Sequence, residues 1–580
     1  MVKTINYRKD IDGLRAIAVL SVILFHFGYL PNGYLGVDIF FTISGYLITK
    51  IVYNEAREDR FSISKFYLRR IRRIIPLVLS TTFVALLIGI FVMLPDDLEN
   101  LSQSVFATNI FANNILLLIT TGNYWDVVNE YKPLMHTWSL GVEEQFYVAY
   151  PLIFLFLNGK RSRWIMPVLL ILTTTSLFLF TSSSNEPSRF YSIQFRFFEL
   201  SFGGLGAIIF NDKLINSRYK LIFVPIVLVV LLLDINLSGS IKLLLIVTAS
   251  AGLLISENNK NKSGTYFLEN KIMVGIGKIS FSLFMWHQIV LAYTRYFITH
   301  DISFLNSVFI FIIVILFSIL SYFIIEQPFR DKTKIKTKTL LCILSIAFIT
   351  TCSLSLYIYK IKGIVRDVPE LELYKSGSYN GNIHIRYNEK IYDLNKKFTA
   401  NEKIKILVIG NSFSRDWANI LLESKFAKLI EVSYVYDINE CEDINERLSN
   451  AKFIFFSETK IKEFKLLAKK FSIDTLKCWN VGTKNFGSNN GIFYTRRGSN
   501  SYCNQRTDID PGFLERNNDL KNQWGRKYID LIGMIADNNG NIPVFTPDCK
   551  FISQDCRHLT HAGAVYFAQL LDNNQIFKPE

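Results

Sequence analysis

From Tyr7 to Lys360 the chain repeats one pattern, apolar stretches separated by short polar segments. A bilayer core of about 30 Å is crossed by about 20 residues of α-helix, so each stretch reads as a membrane-spanning helix. Eleven are expected, at residues 11–30, 34–53, 75–94, 141–158, 164–182, 196–211, 219–235, 240–256, 277–299, 303–325 and 339–360. Charge tests the count, because cytoplasmic loops are enriched in Lys and Arg. The basic segments are Lys3 to Lys9, Arg57 to Arg73, Lys160 to Arg163, Lys213 to Lys220, Lys260 to Lys278 and Arg330 to Lys338. With the N-terminus inside, an eleven-span path makes all of them cytoplasmic, and an odd number of spans puts everything after Lys360 outside. The semi-polar segment from Pro95 to Pro133 then lies outside, with a short re-entrant or interfacial helix expected around Asn109 to Ile119.

After Gly363 the long apolar runs stop. Residues 363–401 are rich in Tyr, Asn and Lys without a period, which reads as a linker. A short strand pattern at Ile404 to Ile409 then runs into Gly410-Asn411-Ser412 and a helical pattern from Asp416 to Ser424. Further strands are expected at 429–436, 452–456, 476–481 and 542–546, and helices at 461–471, 521–538 and 561–572. Alternating strands and helices imply an α/β layer fold with a parallel sheet. The expected organisation is a polytopic α-helical membrane domain over 1–360, a linker over 361–402 and an extracytoplasmic α/β domain over 403–580.

Composition agrees. Half of the 580 residues are hydrophobic, 48 are Phe, and mean hydropathy is +0.24, too apolar for one soluble domain. The net charge of +15 is no nucleic-acid signal, because the cations collect at span ends. No cleavable signal peptide is expected, since a second apolar run follows the first and a small-residue cleavage site is missing. Of the seven cysteines, Cys342 and Cys352 lie in the last apolar span. The other five, Cys441, Cys478, Cys503, Cys549 and Cys556, show no metal-type doublet. One or two disulfides are expected if that part is extracytoplasmic, Cys549 and Cys556 being the closest pair in sequence.

Within the spans, Arg15, His26 and Asp38 stand out, because an ionisable side chain at a helix centre costs about 2.5–3.5 kcal/mol on insertion scales. Arg15 and His26 are eleven positions apart, about 16 Å along one face of a helix. Arg69, Arg70, Arg72 and Arg73 form a cationic cluster at the third span, suited to phosphates. Glu143 and Glu144 open the fourth and read as structural or cavity-lining. In the polar part, Ser412 follows a strand and starts a helix, where backbone N–H groups can stabilise an oxyanion. Near the chain end stands Asp555-Cys556-Arg557-His558-Leu559-Thr560. An Asp three residues before a His can orient its imidazole, and that His can deprotonate Ser412. Asp548 is a rival orienting acid.

The strand-GNS-helix element with a terminal DxxHLT resembles the SGNH/GDSL superfamily of esterases and acetyltransferases, in which Asp commonly stands at the place of Asn411. The resemblance implies an oxyanion hole completed by a Gly and an Asn between the two blocks. Gly482-Thr483-Lys484-Asn485 matches best and nominates Asn485, but no glycine lies between Gly410 and Gly482 to serve as the other donor. R-x10-H at Arg15 and His26, GVDIFFTISGYLIT at Gly36–Thr49, FYLRRIRRIIP at Phe66–Pro76 and HTWSLGVEEQFYVAYP at His136–Pro151 together resemble the acyltransferase-3 family of membrane acyltransferases. The Arg196–Glu199 pair, GKISFSLFMWH at Gly277–His287 and IIEQPFR at Ile324–Arg330 extend the match. Asp38, Trp286, His287 and Glu326 match positions of that family without an assigned role.

These resemblances imply acyl-CoA, usually acetyl-CoA, as the donor, arriving from the cytoplasm. His26 takes the place of the family's catalytic histidine and Arg15 that of its partner, and the family's RxxR maps best onto Arg69 and Arg72. The fused arrangement is that of bacterial inner-membrane enzymes that O-acetylate extracytoplasmic polysaccharides: lipopolysaccharide O-antigen, capsule or peptidoglycan. The expected partners are the lipid bilayer, acyl-CoA and a polysaccharide acceptor, with no metal and no nucleic acid. The alternative is a transporter of acyl groups or lipid-linked glycan fused to a glycan esterase.

Overall fold

The computed structural model of the protein describes residues 7–120, 130–157, 159–257, 263–298, 302–375, 383–399, 402–487 and 489–573. Two compact units result. One comprises Met1–Phe91, Asn100–Arg295 and Asp301–Tyr357, the other Val92–Glu99, Tyr296–His300 and Ile358–Glu580.

Each apolar stretch of the sequence meets a helix: Lys9–His26, Gly36–Arg57, Ile63–Val92, Trp138–Phe156, Ile165–Ser182, Ile193–Ile209, Lys220–Leu232, Gly239–Ile255, Ser280–Phe297, Phe304–Ser321 and Thr337–Lys360. Among the described residues, five helical segments are long and apolar enough to cross a membrane: Gly33–Arg57, Ile63–Val92, Arg161–Ser182, Phe304–Arg330 and Thr337–Lys360. Lys271–Lys278 with Ser280–Phe297, bent by 68°, makes a sixth if counted as one broken span. Where one short helix was expected near 109–119 there are two, Pro95–Asn109 and Asn113–Thr120. Residues 121–129 of that segment, and parts of the expected loops at 1–6, 258–262 and 299–301, lie outside the described residues.

Helices Gly36–Arg57 and Ile193–Ile209 pack without room for side chains at their crossing. A Cβ on Gly45 would lie 1.7 Å from the Leu200 carbonyl oxygen, and one on Gly203 2.1 Å from that of Thr42. Glycine permits this approach, the usual device where lipid-soluble helices gain little from burying apolar surface. Ile39, Ile43 and Tyr46 meet Phe198 and Ile246 around it. The same crossing buries Arg196 between Asp38, at 3.2 Å, and Glu199, at 2.7 Å, one guanidinium shared by two carboxylates.

The second unit carries a five-stranded parallel sheet: β1 Ile404–Ile409, β2 Ile430–Val435, β3 Phe453–Ser457, β4 Cys478–Val481 and β5 Tyr528–Ile529, in the order β2-β1-β3-β4-β5. Strand alternation feeds two cores. Ile406, Val408, Tyr434 and Phe455 pack with Trp417 and Phe567 on one face, while Leu407, Ile409, Ile454 and Phe456 pack with Phe464 and Trp524 on the other. A sheet covered on both faces is the doubly wound arrangement, and this strand order reverses direction beside β1, where such folds bind ligands.

Two expectations for this part need correction. The helix expected over 521–538 is Pro511–Trp524, followed by β5 and a short helix Leu531–Ile535. Asp510 caps it by accepting the Gly512 N–H at 2.8 Å, Pro511 sits in the first turn, and Gly525 leaves it at φ +54°. The strand expected at 542–546 is only Ile542–Pro543, paired antiparallel with Arg506–Thr507 outside the main sheet, because Pro543 cannot extend a central ladder. Cys549 forms a disulfide with Cys503, and Cys556, the nearest cysteine to it in sequence, is buried.

Candidate active site

Ser412 sits at the carboxyl end of β1 as the first residue of helix Ser412–Glu423. Asn411 caps that helix, its side chain accepting the Phe413 N–H at 3.0 Å. Gly410 turns the chain at φ +130°, where a Cβ would meet Ser414 Oγ at 2.6 Å, so the tight exit from the strand requires glycine.

His558 Nε2 lies 2.9 Å from Ser412 Oγ, and Nδ1 lies 2.7 Å from Asp555 Oδ2. The other carboxylate oxygen, Oδ1, accepts the N–H groups of His558 at 2.8 Å and Arg557 at 3.1 Å. The Asp is thus held by its own loop, and the imidazole by the Asp. Desolvation works to raise the Asp555 carboxyl, yet the His558 charge and these hydrogen bonds outweigh it and hold the group well below the usual carboxylate range. An ionised Asp555 accepts the Nδ1–H hydrogen bond and so keeps the ring proton on Nδ1, leaving the Nε2 lone pair facing the Ser412 hydroxyl, the arrangement that activates a serine nucleophile. Asp555, not Asp548, occupies this place.

Asn485 is buried, and its Oδ1 accepts the N–H groups of Gly487 at 2.9 Å and Asp510 at 3.3 Å. Those bonds set the amide's orientation and leave Nδ2, a donor, on the other side.

In the helical unit, Arg15 bonds Asp12 at 3.2 Å and lines a cavity with Arg70, Arg73, Ser44, Glu143 and Tyr147. Ser44 and Tyr147 hydroxyls both donate to the Glu143 carboxylate. The cavity has three cations against one carboxylate at its wall, the charge balance an anionic ligand seeks. Arg69 and Arg72, the pair favoured by the RxxR spacing, are engaged elsewhere. Arg69 pairs with Glu55 at 3.0 Å. The buried Arg72 donates to the carbonyls of Phe329 and Ile335, each at 3.0 Å, and to Thr337 Oγ1 at 3.2 Å. Arg70 and Arg73 are the two of the four that line the cavity.

His26 closes helix Lys9–His26, and its Nδ1 is 3.1 Å from Nε2 of the buried His287. His287 Nδ1 is 2.7 Å from the Phe284 carbonyl oxygen, which only accepts, so that nitrogen carries a proton. In the neutral ring Nε2 of His287 is then an acceptor, His26 donates to it through Nδ1, and the lone pair of His26 falls on Nε2. Sequence reading named His287 without a role. Its signal was the family-matching segment Gly277–His287, and the pairing across 261 positions has none.

Residues 8–326 match the Acyl_transf_3 family, described as an acyltransferase domain. The chain belongs to this family. It is 31% identical over 362 residues to the O-acetyltransferase OatA of Staphylococcus aureus (strain NCTC 8325 / PS 47), covering 56% of this chain and 58% of that protein. A provisionally named O-acetyltransferase of Staphylococcus aureus (strain MSSA476) is 28% identical over 358 residues, 57% of this chain and 58% of the relative. The chain thus spans under two thirds of the length of these curated relatives. No solved structure matches it. With its apolar helices, the family membership makes this a multi-pass membrane protein with an acyltransferase domain. Arg15, His26, Arg70, Arg73 and His287 lie within the matched residues, Ser412, Asp555 and His558 beyond them. Among the described residues no group of three or more His, Cys, Asp or Glu is arranged to hold a metal.

Proposed function

We propose that this protein is an O-acetyltransferase of the bacterial cytoplasmic membrane, moving acetyl groups from cytoplasmic acetyl-CoA to a hydroxyl of an extracytoplasmic polysaccharide. In this reading eleven spans carry the chain from a cytoplasmic N-terminus to an extracytoplasmic SGNH-like domain beginning near residue 403. The Cys503–Cys549 disulfide supports that side, since structural disulfides persist in oxidising compartments. The observation that carries the reading is the hydrogen-bonded run Ser412–His558–Asp555 on a chain whose other half is an acyltransferase domain.

The chemistry has two stages. Arg15, Arg70 and Arg73 hold the phosphates of the donor, and His26 Nε2 attacks the thioester carbonyl carbon. The C–S bond breaks, the acetyl group rides on the imidazole as transient acyl carrier, and the CoA thiolate leaves, taking its proton from His26 once His558 has returned one to that ring. In the second stage Ser412 Oγ attacks the acetyl carbonyl carbon while its proton passes to His558 Nε2. The tetrahedral oxyanion is met by Asn485 Nδ2 and backbone N–H groups at the helix start. The carrier leaves with the proton from His558, and acetyl-Ser412 remains. A sugar hydroxyl then attacks that ester, its proton going to His558 and from there to Ser412 Oγ. In sum, acetyl-CoA and a sugar hydroxyl become a sugar acetate and the CoA thiol.

Mass spectrometry of envelope polysaccharides from cells carrying the wild type, Ser412→Ala or His26→Ala tests this. Loss of glycan acetate in both variants is expected. More acetate in Ser412→Ala than in wild type refutes transfer in favour of a fused esterase, and unchanged acetate in both refutes any role in acylation.

A further inference from the structure

Asp416 lies four residues after Ser412, one turn along the same helix, with its side chain fully buried. Its Oδ2 accepts the N–H of Leu559, the neighbour of His558, at 2.9 Å. The same oxygen stands 2.8 Å from Nζ of Lys484, the neighbour of Asn485. Lys484 is 1% exposed, and its ammonium sits 3.8 Å from the centroid of the Phe413 ring. A fourth tie closes the circuit, the Phe486 N–H donating to the Cys556 carbonyl at 2.8 Å. One carboxylate therefore joins the helix that carries Ser412, the loop that carries Asn485 and the loop that carries Asp555 and His558.

Such a pair contributes little stability by itself, because taking both charges out of water costs about as much as their attraction returns. A pair of apolar side chains would fill the space equally well, but would fix no direction. The ionic form is kept here by mutual support: burial raises the Asp416 carboxyl, yet Lys484, Arg415 and His558 hold it below its usual value. Burial likewise lowers Lys484, against the opposing pull of Asp416.

Resting on the reading of Ser412, His558 and Asp555 as the acyl-transfer site, we propose that Asp416 and Lys484 are its positioning residues. They set the distance of the His558 and Asn485 loops from Ser412, and a displacement of about 1 Å at such a site lowers turnover about 10²-fold.

The test uses the full-length protein in detergent micelles with p-nitrophenyl acetate as acyl donor and water as acceptor, reading the p-nitrophenolate burst, kcat, KM and the melting temperature. In the double variant Asp416→Asn/Lys484→Met the amide oxygen still accepts the Leu559 N–H and the buried ammonium leaves together with the carboxylate; Arg415, whose guanidinium is 3.1 Å from Asp416 Oδ1, loses that partner but is 13% exposed and can turn to water, so the protein is expected to fold and to melt close to the wild type. Its KM is expected to stay unchanged while kcat falls about 10²-fold, and Lys484→Arg, which keeps the charge, is expected to stay within a few-fold of wild type. A double variant with wild-type kcat overturns the proposal. So does one that no longer folds, since the pair is then a stability element. Ser412→Ala separates the two levels: a burst that survives it refutes the Ser412 reading itself, whereas a Ser412-dependent burst with normal kinetics in the double variant refutes only the positioning role.

Discussion

Replacing Asp555 by Asn tests the proposed charge arrangement with little change in shape. The carboxylate's two oxygens do different work. Oδ1 accepts the N–H groups of His558 and Arg557, and Oδ2 accepts Nδ1–H of His558. An asparagine keeps both backbone bonds only if its oxygen takes the Oδ1 place, which turns its NH₂ towards His558 Nδ1. Nδ1 must then accept, the ring proton moves to Nε2, and Nε2 faces the Ser412 hydroxyl as a donor that cannot take its proton. The analogous change in a serine hydrolase triad lowers kcat about 10⁴-fold, equivalent to about 5 kcal/mol of transition-state stabilisation. Because the loop keeps its backbone bonds, the melting temperature is expected to move little. The stability that Asp555 contributes also has a defined pH window. Its folded-state pKa is depressed, so that contribution is present above the unfolded value and lost as pH falls through the folded one, leaving it intact at neutral pH. The assay is ester turnover by the full-length protein in micelles between pH 6 and 8, with thermal unfolding alongside. An Asp555→Asn protein within threefold of wild-type kcat across that range would falsify the tautomer argument and, with it, the proposed role of Asp555.

Three further outcomes follow from other parts of the molecule. Arg72→Ala leaves two carbonyls and a hydroxyl without their charged donor and is expected to cost about 3 kcal/mol of stability, while Arg73→Ala leaves the melting temperature unchanged and weakens acetyl-CoA binding; thermal unfolding and calorimetric titration check the pair, and the reverse pattern would return the phosphate site to Arg72. Cys503→Ser opens a loop with a sequence separation of 46 and is expected to cost about 2–4 kcal/mol, read by denaturant unfolding; a wild type equally stable with and without reductant counts against the bridge. His561 Nδ1–H donates to the Glu372 carboxylate at 3.3 Å, and this bond raises the His and lowers the Glu. Its contribution is present below the unfolded His value, about 6.5, and fades as pH rises through the folded one, so Glu372→Gln should lower the melting temperature more at pH 5.5 than at pH 8.5; an equal loss at both contradicts the linkage.

Local patterns were readable one residue at a time. Runs of apolar residues located eleven helices among the described residues, and missed the polar helix Pro95–Asn109, because helix length and hydrocarbon thickness are matched quantities that an apolar sequence displays directly. Asp555 and His558 were legible for a similar reason, since three positions are all that separates them and one loop brings them together. Short elements escaped. β5 is two residues long and is a strand only because β4 offers it a ladder, so a helical continuation looked better by pattern alone. The disulfide was expected without its partners, because the fold, not the spacing, brings Cys503 to Cys549.

The arginine cluster draws the same line most clearly. Its four members were evident from composition, and their use was not. A helix turns 100° per residue, so Arg69, Arg70, Arg72 and Arg73 face four directions, and only the neighbouring helices decide that Arg72 meets carbonyls while Arg70 and Arg73 meet a cavity. The sequence by itself determined the division into apolar and α/β parts, the ionisable residues in the spans and the Ser412 and Asp555–His558 motifs, because all of these are set by side-chain chemistry over a few turns. Tertiary structure alone decided the His26–His287 pair, the Asp416–Lys484 tie and the division of labour among the arginines, because each depends on contacts between residues far apart in the chain.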